Sequence, residues 1–99
     1  MFDMNRKRDH FLNEIDELIK ETDTALAERK TGIAGDGTID ELEDFIQTLK
    51  EMKDEVSKNK LPPKAKREPT MGWYVTDTWS YQNPLGAKII RIEEKYKKL

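Results

Sequence analysis

The sequence predicts a mainly α domain, an antiparallel helical hairpin followed by a C-terminal helix, with one short extended aromatic segment between them. Three observations lead there. Apolar residues recur at three- and four-residue spacing over two long stretches and again near the C-terminus. Prolines and glycines are confined to the places between those stretches, where they act as punctuation. One β-like segment exists, and no second segment of similar quality is present to pair with it. Ninety-nine residues suit a single domain with one modest core.

The first helix is placed at about 9–30. Phe11, Leu12, Ile15, Leu18, Ile19, Ala25 and Leu26 form its stripe, and Glu14, Asp16, Glu17, Glu21 and Asp23 occupy the remaining surface. Arg29 and Lys30 fall in the last turn, where the helix dipole favours cations, and Thr31-Gly32 ends it. The second helix is placed at about 39–58. Thr38 and Glu41 have the spacing of a capping box, and Asp40 joins Glu41 in the first turn. Its apolar face is Ile39, Leu42, Phe45, Ile46, Leu49, Met52 and Val56. A short Gly-rich loop between two such helices gives the antiparallel hairpin.

Residues 61–69, LPPKAKREP, read as a basic extended connector, because each proline disfavours helix in the residue before it. Residues 71–82, MGWYVTDTWSYQ, alternate aromatic, β-branched and polar side chains, which suits a short strand or an ordered extended segment. Asn83-Pro84 then reads as N-cap and first residue of a helix over about 84–98. Its stripe is Leu85, Ile89, Ile92, Tyr96 and Leu99, with Ile90 beside it.

Net charge is only −2, but it is unevenly placed. Between Asp9 and Glu55 stand 15 acidic residues against 5 basic ones; from Val56 onward 10 basic residues face 4 acidic. No apolar run approaches the roughly 20 residues that span a bilayer. MFDMNRKRDH has basic residues without an apolar stretch behind them, so no secretory signal is visible. With no cysteine either, the chain reads as cytoplasmic.

The stretch GIAGDGTIDELEDF, residues 32–45, shares letters with the second half of an EF-hand loop. With Gly37 at the sixth position of that loop, Asp36, Thr38, Asp40 and Glu43 fall on ligand positions. The first and third positions are then Gly32 and Ala34, which have no side-chain oxygen. Two missing carboxylates leave too little charge to dehydrate calcium, so the stretch reads as a turn and a helix start, and no metal or cofactor is expected. Catalysis also finds little footing. His10 is the one histidine and there is no thiol, and the glycines follow no strand and match no nucleotide-binding spacing. The chain reads as a binding protein rather than an enzyme.

Two features suggest what binds. The acidic band of Asp36, Asp40, Glu41, Glu43, Asp44, Glu51, Asp54 and Glu55 serves solubility or docks a basic partner. Trp73, Tyr74, Trp79 and Tyr81 lie within nine residues. Either Trp73, Val75 and Trp79 cover the open face of the hairpin as core, or the segment is an aromatic recognition surface. Candidate partner-binding residues are therefore Asp36, Asp40, Glu41, Asp44, Trp73, Asp77, Trp79 and Tyr81.

An acidic hairpin with GDGT-I-x-E-L between its helices is followed by LPP, by D-T-W-S-Y-x-N-P-L-G and by a helix ending EKYKKL. In this order of features the chain resembles small bacterial immunity proteins of polymorphic or contact-dependent toxin systems. That resemblance implies a cytoplasmic inhibitor that neutralises a toxin by masking its active or substrate-binding surface, with residues 36–55 and 73–81 facing the toxin. Two other functions fit the residues. A nucleic-acid module would use the cations from Lys58 to Arg67 with the aromatics of 73–81, although the acidic half opposes it. An adaptor would use the hairpin to form a homodimer.

Overall fold

A computed structural model describes residues 2–67 and 70–99, with side chains from Arg6 onward. The elements are α1 (Phe2–Lys30), α2 (Ile39–Ser57), a one-turn 3-10 helix (Lys64–Lys66), α3 (Thr70–Thr78) and α4 (Pro84–Lys98). α1 and α2 form the hairpin, α4 runs along α1, and α3 lies on α4. The fold is mainly α, as the periodicity predicts.

Each helix end follows from local chemistry. At the end of α1 the Ile33 N–H donates to the Glu28 carbonyl at 2.9 Å and the Gly32 N–H to that of Arg29 at 3.1 Å. This Schellman motif needs a left-handed residue, and Gly32 supplies it with φ of 89°. α2 opens with the capping box: Thr38 N–H donates to the Glu41 carboxylate at 2.8 Å, and Glu41 N–H to the Thr38 hydroxyl at 3.2 Å. It closes on the same motif as α1, with Asn59 taking the left-handed place at φ 57°. Asn83 caps α4 by accepting from the Leu85 N–H at 2.9 Å, with Pro84 next to it.

The core draws on all four helices: Phe11, Ile15, Leu18 and Ala25 from α1, and Leu42, Phe45, Leu49, Met52 and Val56 from α2. Met71 and Val75 of α3 join them with Trp79, and α4 adds Ile89, Ile92 and Tyr96. Thr22 sits fully buried in the α1 stripe, its hydroxyl satisfied by the Leu18 carbonyl at 2.7 Å. Ile39, expected on the apolar face of α2, is 38% exposed.

Two expectations need correction. α1 begins at Phe2 rather than near residue 9. Its first turns lack an apolar stripe but contain no breaker, and Met, Arg and Lys are good helix formers. The larger correction concerns residues 71–82, expected to be extended: Thr70–Thr78 is a helix. Met71, Val75 and Trp79, four residues apart, bury one stripe. The hydroxyls of Thr76 and Thr78 donate to the carbonyls four residues back, each at 2.8 Å, which accommodates threonine in a helix. The free N–H groups at the helix start are met from α4. Glu93 accepts from Met71 at 3.1 Å and from Gly72 at 2.6 Å. Tertiary packing overrides the β-propensity of the segment.

α3 and α4 approach closely because glycines line the seam. A Cβ on Gly86 would stand 2.8 Å from Val75 Cγ1 and 3.3 Å from Trp79 Cε3. Alanine usually stabilises a helix relative to glycine. Here Gly86→Ala is expected to lower stability by about 1–3 kcal/mol through overpacking. A melting temperature at or above that of the parent would refute the close seam.

Glu93 is 5% exposed. Burial pushes its carboxyl above the ordinary value of 4.5, and the two N–H donors oppose that shift without cancelling it. A carboxyl whose folded pKa is raised binds its proton more tightly folded than unfolded. Its contribution to stability therefore falls as pH rises from about 4.5 through the raised value, and is flat below 4.5. Subtracting the Glu93→Gln unfolding free energy from that of the parent, pH by pH, should give a difference that declines across this window. A flat or rising difference would contradict the assignment.

Candidate functional site: an acidic and aromatic face on α2 and α3

The loop between α1 and α2 is built by Arg29. Its guanidinium donates to the carbonyls of Asp36 at 2.8 Å and Gly37 at 3.2 Å. The Asp36 carboxylate accepts from the Asn83 side-chain amide at 2.8 Å, tying the loop to the start of α4. Gly37 has φ of 85°, and a Cβ there would meet Trp79 and Leu42 at 3.0 and 3.1 Å. The letters shared with an EF-hand thus have other tasks: Asp36 staples the loop, Gly37 admits the indole, and Thr38 and Glu41 cap α2. Among the described residues, no group of three or more His, Cys, Asp or Glu is placed to hold a metal ion.

The candidate partner-binding residues separate into two sets. Asp36 and Glu41 are engaged in loop and cap, and Trp79 is a core residue, 7% exposed. The Trp79 ring packs 5.6 Å from that of Phe45, and its buried indole N–H has no acceptor among the described residues. Val75 is buried with it, whereas Trp73 is not. The two readings of the aromatic segment therefore divide by residue: Val75 and Trp79 are core, and Trp73 and Tyr81 are surface. Asp40, Asp44, Trp73, Asp77 and Tyr81 all face solvent.

Helical geometry places Asp40 and Asp44 on one flank of α2 and Trp73 and Asp77 on one flank of α3, while Tyr81, beyond the end of α3, lines a groove with Thr76, Asn83, Ala87 and Ile90. Phe45 meets Tyr74 edge-on at 6.0 Å, which fixes the seam between α2 and α3. On α2, Asp44 lies about 100° around the axis from Phe45 with Asp40 beyond it, both on the outer flank. On α3, Asp77 and Trp73 follow Tyr74 on the outer flank at helical spacing. Trp73 is 59% exposed and Tyr81 fully exposed. Tyr74, 37% exposed, belongs to this face and escapes a strand reading of the segment, which would put it on the side opposite Trp73.

Glu93 is buried and is missed by sequence reasoning, and Arg67, read from sequence as a surface cation, is buried as well. Arg67 donates to the carbonyls of Pro62 at 2.7 Å and Tyr96 at 3.0 Å, with its guanidinium 5.6 Å from the centre of the Tyr96 ring. The Tyr96 hydroxyl donates to Glu55 at 2.7 Å. Burial, then the Glu55 carboxylate, raises the phenol's pKa well above its ordinary range. This network fastens the connector to α2 and α4. It withdraws Arg67, as core packing withdraws Trp79, from any nucleic-acid surface built on residues 58–81. His10 is exposed at the far end of α1. Among the described residues, no helix is long and apolar enough to cross a membrane.

With Asp36 committed to Asn83, millimolar calcium should leave the melting temperature unchanged, since a ligand of the native state alone must raise it. Asp36→Ala should lower stability by about 1–3 kcal/mol, because the Asn83 amide loses its partner. A calcium-dependent rise that disappears in Asp36→Ala would reverse this account of the loop.

No protein-family model matches the chain, and no curated protein matches it by sequence.

Proposed function

We propose that this chain is a cytoplasmic inhibitory protein-binding domain that docks a basic partner through the outer face of α2 and α3. In this reading it acts as an immunity protein, and the partner is a toxin domain whose active or substrate-binding surface it masks. The observation that carries the proposal is the exposure of Trp73 and Asp77 on one flank of α3, with the exposed carboxylates of Asp40 and Asp44 on α2 and the fully exposed ring of Tyr81 just beyond α3. Tryptophan and tyrosine dominate binding hot spots, and surrounding carboxylates steer a basic surface toward them. The order of sequence features shared with immunity proteins supports the nature of the partner.

The face is also pre-organised. α3 is held at its start by Glu93 and at its end by Trp79, which packs against Gly37 and Gly86. Rings presented on a fixed helix lose little entropy on binding.

The test is co-expression with a toxin domain encoded beside this chain, followed by growth rescue and dissociation rates of the purified pair. Trp73→Ala and Tyr81→Ala should leave the unfolding free energy within about 0.5 kcal/mol of the parent. At least one should lose about 2 kcal/mol of affinity, near thirtyfold, mainly through faster dissociation. Replacing Asp40 and Asp44 with lysine should slow association and weaken its salt dependence. Trp79→Ala should behave oppositely, losing about 3–5 kcal/mol of stability while binding normally once corrected for the folded fraction. If Trp73→Ala and Tyr81→Ala both bind as the parent does, the face is not the interface.

A further inference from the structure

A second surface lies at the other end of the molecule. Lys7 and His10 of α1 face Lys95 and Lys98 of α4 across a cleft of about 360 Å³ floored by Phe11 and Leu99. Lys7, His10 and Lys98 are exposed. Glu14, the one acidic residue lining the cleft among the described residues, is ion-paired with Lys95. Exposed Lys58, Lys60, Lys64 and Lys66 stand at the same end, because Glu55 and Arg67 both fasten to Tyr96. Cations from α1 and α4 thus line one hollow, with those of the connector at the same end of the molecule.

We infer that this cleft binds an acidic peptide segment carrying an apolar side chain, the side chain entering against Leu99 and the flanking carboxylates meeting Lys7 and Lys98. Charge complementarity fixes the sign of the partner, and the apolar floor separates a peptide from the other polyanions. Single-stranded nucleic acid needs exposed rings for its bases to stack on. Phe11 is 1% exposed and Tyr96 9%, so neither offers a face. An anionic bilayer takes apolar side chains that protrude into it, and this surface is concave. The volume lies near the lower limit for ligand sites, enough for one anchoring side chain and its neighbours. This surface is separate from the one on α2 and α3, so either can fail without the other.

The probe is an acetylated octapeptide in which two leucines are flanked by six glutamates, titrated into the 99-residue chain at low salt. Backbone amide shifts should move over residues 7–14 and 95–99 and not on the outer face of α2 and α3. A control with serine in place of both leucines should bind about tenfold more weakly. Lys7→Glu with Lys98→Glu should weaken the leucine peptide by at least about tenfold, with thermal melts confirming that the variant is folded. Leu99→Ser should reduce the preference for leucine over serine without abolishing charge-driven binding. The inference is overturned if the leucine peptide does not bind, or if the serine control binds equally well. Shifts centred on α3, or tighter binding of an eight-residue oligothymidylate, would overturn it too.

Discussion

The arrangement of this molecule depends on one carboxylate. Glu93 projects from α4 and accepts the N–H groups of Met71 and Gly72, satisfying donors that a helix start cannot satisfy within itself. α3 spans nine residues, which is too short to be stable as an isolated helix. It exists because α4 supplies its first acceptors and because Met71 and Val75 bury against the core. The approach is so close that a Cβ on Gly72 would stand 2.7 Å from Glu93 Oε1. Burial of the carboxyl costs stability, and the same burial fixes where α3 begins and therefore where Trp73, Tyr74 and Asp77 point.

The far end of α3 is fixed by shape rather than charge. Trp79 fills the space between Gly37 of the loop and Gly86 of α4, while Asp36 and Asn83 join the same two elements by a hydrogen bond. Loop, α3 and α4 are thereby coupled around one indole. A change at Gly37 or Gly86 would reach the outer face through Trp79 without touching it. The loop residues that share letters with an EF-hand are the ones that hold α3 and α4 together at this end.

What the sequence reveals follows from where the interactions lie. The hairpin was legible because its signals are local: the stripe of Leu42, Phe45, Leu49, Met52 and Val56, the Thr38–Glu41 box and the Asn83-Pro84 start all depend on residues a few positions apart. α3 was not legible, because its first hydrogen-bond acceptor lies 21 and 22 residues away in sequence. Its threonines and aromatics favour a strand when weighed alone. The pattern of Met71, Val75 and Trp79 at intervals of four was present and could have suggested a helix. Of the candidate site residues, burial separates Trp79 from Trp73 although both share the same composition signal. No local rule distinguishes them before the helix is known.

Charge follows the same topology. α1 runs from the cations near Lys7 to the acidic loop, α2 returns, and α4 runs from Asn83, beside Asp36, back to Lys95 and Lys98. Folding therefore sets Asp36 and Asp40 toward one end of a body 47 Å long and 22 by 20 Å across, and Lys7, Lys95 and Lys98 toward the other, with further carboxylates of α1 and α2 along its length. The screening length at physiological salt is about 8 Å, far less than the length of the body. Exposed charges at one end therefore feel those at the other only weakly, and a net charge of −2 describes neither end. A basic surface approaching α2 meets Asp40 and Asp44, and an acidic one approaching the opposite end meets Lys7 and Lys98. Because screening separates the two ends, a charge change at one of the two proposed surfaces is expected to leave binding at the other unaltered.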